Sequence, residues 1–220
     1  MREAVRSENV QLIEVPLSLG LTQPRFKICV EESGLDVERF CPETWPKKHE
    51  ILDGCSAISW QETLGLTKLT SLSDIDVGLR TRIGVLKKDL SSQEAADNLN
   101  SFSKELDIIP PTEGDLSPLL ENRLFSAIKK LAYNKLWVGD EFGTERKLHW
   151  IEDLIEKDEI PSHGCVFTPD HRLLITTHWD SHCSFLCSSR ELIEDILSEE
   201  AIEGFFCTPK TEVYWGAYEI

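Results

Sequence analysis

Apolar residues along this chain recur at helical spacing in several stretches and alternate in shorter runs between them. Ile75, Leu79, Ile83 and Leu86 share one face of a predicted helix that starts from an N-cap at Ser73, with Asp76 three residues on. A second helix begins near Ser91 or Ser92, where Ser91 and Glu94 can form a capping box, and its stripe is Ala95, Leu99, Phe102 and Leu106. The run Ile109-Pro110-Pro111-Thr112-Glu113-Gly114 then breaks the chain. Beyond it Ser117 caps a third helix with Pro118 at the first helical position, where a missing N–H costs nothing. Leu120, Leu124, Ile128 and Leu131 form its buried stripe. His149 to Lys157 places Trp150, Ile151, Leu154 and Ile155 at helical spacing, and Ser188 with Glu191 opens a last helix carrying Leu192, Ile193, Ile196 and Leu197.

The alternating runs are short. Val10 to Leu21 is interrupted by Pro16 and Gly20, Phe26 to Val30 is a strand candidate, and Leu35 to His49 is a loop pinned by Trp45. Ile58 to Leu66 is a helical turn that ends near Gly65. Leu136 to Val138 is a strand, followed by a turn over Gly139 to Gly143. Cys165 to Thr168 and Leu173 to Thr177 form a hairpin turned at Thr168-Pro169-Asp170-His171. Phe205 to Cys207 and Val213 to Trp215 form another. Strands joined by hairpins beside segregated helices predict an α+β fold with an antiparallel sheet. The expected organisation is an irregular and helical part over residues 1–110 and an α+β part over 115–220, within one continuous domain or as two.

Leu173 to Cys187 is the stretch richest in reactive side chains, and it admits two geometries. As one strand it would carry His178, Asp180 and His182 in a row on one face, a platform for a divalent metal such as zinc or manganese. Cys183, Phe185 and Cys187 would line the opposite, apolar face. As a hairpin it would turn at Trp179 to Ser181, between strands 173–178 and 182–187, and the row would break up. The hairpin is the favoured geometry because fifteen residues make a long strand.

Composition narrows the function classes. The chain has 220 residues and a net charge of −16, and residues 138–220 hold 18 of its 39 acids but only 6 of its 23 lysines and arginines. Such a field repels nucleic acid and anionic membranes and suits a basic partner. The first fifteen residues lack the apolar core of a signal peptide, and no apolar run is long enough to span a bilayer. Seven cysteines without a CxxC pair point to reduced thiols in the cytoplasm. GxGxxG, Walker A and HExxH motifs are missing, and Gly139 to Gly143 is an acidic turn.

The stretch HGCVFTPDHRLLITTHWDSHCSFLCSS, with EGFFCTPKTEVYW after it, resembles an uncharacterised family of small acidic bacterial proteins. The resemblance covers about residues 136–215 and implies no activity. The expectation is therefore a non-enzymatic, cytoplasmic interaction protein that binds a basic protein partner, of the immunity or inhibitor type. Trp179, Asp180, Tyr214, Trp215 and Tyr218 are its candidate contacts, because aromatics anchor interfaces and acidic charge steers encounter. The alternative is a metal-dependent hydrolase built on His178, Asp180 and His182, with His171 or His163 as a candidate further ligand.

Overall fold

The computed structural model describes Ser18–Leu21, Phe26–Cys29, Arg39–Pro42 and residues 47–208, apart from 107, 158, 159, 200 and 201; side-chain detail begins at residue 47. The expected hairpin strand at Val213 to Trp215, the start of the chain and Tyr214, Trp215 and Tyr218 lie outside the described residues. Two compact units are present, one built mainly on Leu17–Pro111 and the other on Thr112–Tyr214. Among the described residues no helix is long and apolar enough to cross a membrane.

The first unit contains strands β1 (Ser18–Leu21), β2 (Phe26–Cys29) and β3 (Arg39–Pro42), helix α1 (Lys48–Gly54), strand β4 (Cys55–Ile58), helices α2 (Trp60–Leu66), α3 (Leu72–Arg82) and α4 (Gln93–Glu105), and strand β5 (Ile108–Ile109). β1 is the middle strand between β4 and β5, and β2 pairs with β3. Helix α3 is capped two residues before the expected Ser73. Ser71 is the cap, its hydroxyl accepting the Asp74 N–H while Asp74 accepts the Ser71 N–H. It ends at Arg82, before Gly84 with φ +73°, so Ile83 and Leu86 fall outside the helix. Helix α4 is capped by Ser92, as one of the two expected serines. Trp60, Ile75, Leu79 and Leu99 form a buried cluster on which Leu64 and Leu69 pack. Gly78 allows α3 and α4 to approach closely: a Cβ there would stand 2.7 Å from Leu99 Cδ1 and 3.1 Å from the Ala95 backbone.

The second unit runs α5 (Pro118–Lys130), β6 (Lys135–Gly139), β7 (Arg146–Trp150), α6 (Ile151–Glu156), β8 (Cys165–Phe167), β9 (Leu173–Thr177), β10 (Ser184–Ser188) and α7 (Arg190–Glu199). Its five strands form an antiparallel sheet in the order β10-β9-β8-β6-β7, so the fold is α+β. Alternation and register divide the side chains between two faces. Leu136, Val138, His149, Val166, Leu173, Ile175, Ser184, Leu186 and Ser188 share one face, and all are buried. The other carries Lys135, Trp137, Arg146, Leu148, Trp150, Phe167, Leu174 and Cys187, and there Leu148 and Trp150 are exposed. Helix α5 begins at the expected Ser117–Pro118 and buries Leu120, Leu124, Phe125, Ala127 and Ile128.

Two boundaries differ from the sequence expectation. Trp150 belongs to β7 and not to a helical stripe, so the helix read over His149 to Lys157 is confined to Ile151–Glu156. Ser189 replaces Ser188 as the cap of α7, because the Ser188 hydroxyl is spent on the Arg172 carbonyl at 2.6 Å while Ser189 Oγ accepts the Leu192 N–H.

Candidate functional site

The stretch from Leu173 to Ser188 is a hairpin. β9 stops at Thr177, β10 starts at Ser184, and Asp180 in the turn takes the left-handed conformation (φ +55°). The turn is held from within: His178 donates its backbone N–H to the Cys183 carbonyl at 3.0 Å, and Ser181 Oγ accepts the Cys183 N–H at 3.2 Å and lies 2.9 Å from Cys183 Sγ. His178, Asp180 and His182 thus do not form the row that a single strand would give. The His178 ring is buried edge-on to Phe185, 5.6 Å between centroids. Among the described residues, no group of three or more His, Cys, Asp or Glu is placed to hold a metal ion.

What the turn does assemble lies on its other side. Glu113 Oε1 accepts the Asp180 N–H at 2.8 Å, and the same oxygen lies 3.0 Å from His163 Nε2. His163 Nδ1 faces Glu141 Oε2 at 3.7 Å, in the turn between β6 and β7. The imidazole packs against Trp179 with centroids 4.8 Å apart. Its backbone N–H donates to the Gly114 carbonyl at 2.8 Å, which also accepts the Thr177 hydroxyl at 2.8 Å, while Gly114 N–H reaches the Ser181 carbonyl at 3.2 Å. Four loops therefore meet on one histidine: 113–114, 140–145, 160–164 and 178–181. Gly114 (φ +69°) and His163 (φ +55°) are both left-handed, and a Cβ on Gly114 would collide with the His163 ring.

The result is a surface with aromatic projections and an acidic border. Trp179 is 43% exposed and Phe142, beside Glu141, is 72% exposed. Glu113, Glu141 and Asp180 supply the carboxylates, and the His163 ring lies between the first two. Sequence reasoning singled out Trp179 and Asp180 as contacts and named His163 only as a further metal ligand, while Glu141 and Phe142 stood in an acidic turn and Glu113 in a chain break, none of them assigned to this surface. The available signal was weak: a Pro-Pro-Thr-Glu-Gly break, a Pro-x-His-Gly turn and a phenylalanine at the tip of an acidic turn.

Asp140 shapes the turn that presents Phe142. It accepts the N–H groups of Thr144 (2.7 Å) and Glu145 (3.2 Å) and the Thr144 hydroxyl. The Thr144 hydroxyl, followed by these N–H groups, holds the Asp140 carboxyl below the usual carboxylate range against an opposing contribution from burial. A carboxyl depressed on folding stabilises above its unfolded pKa, and that stabilisation is lost as pH falls through the folded value. Asp140→Ala is expected to speed hydrogen exchange at the Thr144 and Glu145 amides near neutral pH and to remove the acid dependence of their protection. Unchanged exchange would mean that Asp140 does not organise the turn.

No curated protein matches this chain, and no solved structure does. A family model does match, over residues 28–217, well beyond the 136–215 of the resemblance and into both units. The chain therefore belongs to the family described as "Protein of unknown function (DUF2711)".

Proposed function

We propose that this chain is a non-catalytic, cytoplasmic binding protein that captures a basic protein partner, of the immunity or inhibitor type, on the surface around Trp179 and Phe142. The observation that carries the reading is the pairing of two exposed aromatic side chains with Glu113, Glu141 and Asp180 on loops cross-tied through His163. Aromatic side chains act as interface anchors because they bury large area for few frozen torsions. The surrounding carboxylates would pair with lysine or arginine, and the −16 net charge would speed encounter with a cationic surface. The same charge disfavours nucleic acid.

The test is affinity capture from cells of the source, followed by titration of the purified partner at low and high salt. Affinity should fall as salt rises, since the carboxylates act through screened charge. Trp179→Ala and Phe142→Ala should each weaken binding by about 2 kcal/mol, roughly thirtyfold, with the fold retained. Binding that ignores both substitutions and the salt concentration would sink the proposal.

A further inference from the structure

Among the described residues strand β7 ends the sheet of the second unit, and its sequence Arg146-Lys147-Leu148-His149-Trp150 is exposed except at His149. The hydrogen bonds beside it establish which backbone groups are used. Asp140 donates to the Glu145 carbonyl and Ile151 to the Asn134 carbonyl, in register with the Lys135↔Trp150 to Gly139↔Arg146 pairing. In an antiparallel ladder the bonded pairs alternate, so Lys147 and His149 direct their N–H and C=O toward β6. Arg146, Leu148 and Trp150 direct theirs outward, away from the sheet. Their side chains lie on the face opposite the buried Leu136, Val138 and His149, and there Leu148 is 38% and Trp150 51% exposed. Trp150 is also the N-cap residue of α6, so its carbonyl belongs to the first helical bond.

We infer that β7 is a self-complementary edge on which a second copy of this chain docks, β7 against β7 and antiparallel, centred on Leu148. This register makes the most use of the outward groups that the helix leaves available. Leu148 of each copy exchanges both bonds with Leu148 of the other, and each Trp150 N–H donates to the opposite Arg146 carbonyl. The side chains agree with the same register. Leu148 meets Leu148 on the two-fold axis. Arg146 faces the indole of the other copy's Trp150, on the side away from Lys135, whose Nζ already lies 4.1 Å from that ring centroid. A guanidinium against an indole face is a favourable cation–π pair, and this register makes two of them. The five-stranded sheet becomes a continuous one of twice the width, and its two most exposed apolar side chains are covered. This edge shares no residue with the Trp179 surface, so different variants test the two proposals.

Because two chains of −16 repel, salt should strengthen this association, the reverse of the effect expected for a basic partner. Sedimentation equilibrium of the full chain alone, from micromolar to millimolar concentration, should show the mass rising from 25.1 kDa toward twice that value, further at high salt. Leu148→Pro removes an outward N–H that β6 does not use and should leave only monomer. Leu148→Lys, at an exposed position that cannot disturb folding through burial, should do the same by placing two ammonium groups on the axis. Constant monomer mass at every concentration would overturn the proposal and leave Arg146 and Lys147 as charges that guard the edge. Association that persists in both variants, or that weakens with salt, would overturn it as well.

Discussion

Gly114→Ala is expected to destabilise the second unit by about 3 kcal/mol or more, lowering its melting temperature by roughly 10–20 °C. Two costs combine at this position. The backbone is left-handed at φ +69°, which carries about 1–2 kcal/mol for a residue with a Cβ. The new methyl would also run into the His163 ring, and that ring is held by Glu113 on one side and Trp179 on another. Gly143 provides the control, because it is left-handed too (φ +66°) with nothing within 4 Å of its missing Cβ. Gly143→Ala should therefore cost only about 1–2 kcal/mol. Thermal or denaturant unfolding compares the two directly, and equal losses would show that the collision with His163 is relieved without cost. Combining Gly114→Ala with His163→Ala should give less than the sum of the single losses, since the ring that obstructs the methyl is then gone.

Phe125→Ala is expected to cost about 3–5 kcal/mol, as large-to-small changes at fully buried aromatics do. Phe125 is wholly inaccessible on α5, between Leu124 and the equally buried Ala127 and Ile128. α5 packs on both α6 and α7, and a void left by a wholly buried side chain on it could collapse only partly. Leu131→Ala is the informative comparison. The helical period places Leu131 on the buried stripe, yet it is the C-cap residue and is only partly buried. Its truncation should cost about 1 kcal/mol or less by denaturant titration. Comparable losses at the two positions would mean that the core of the second unit does not centre on α5.

The helices were the most legible part of the chain, because apolar period and capping serines are local signals. Where neighbouring serines offered the same chemistry, the choice rested on distant contacts: Ser188 caps nothing because its hydroxyl meets Arg172, sixteen residues away. Strand β7 was illegible for a different reason. It exposes Leu148 and Trp150 and buries His149, the inverse of the usual half-buried strand, so Trp150 joined a helical stripe by spacing alone. The hairpin turn at Trp179–Ser181 was readable, since strand length and turn residues are also local properties.

The amino-acid pattern by itself thus determined the α+β class, the helix α5 with its proline start, the antiparallel hairpin of β9 and β10, and the acidity of the surface. Tertiary structure alone decided the candidate site. Glu113, Glu141, His163 and Trp179 lie on four separate loops and share no periodicity, and they meet because each loop leaves the same end of a folded assembly. Left-handed backbone at His163 and Asp180 is uncommon for residues with side chains, although histidine and aspartate adopt it more readily than most, and the surrounding hydrogen bonds hold it. Leu173 to Cys187 drew attention for its histidines. In the folded chain its importance lies in the Trp179 it presents and in the Asp180 amide it gives to Glu113.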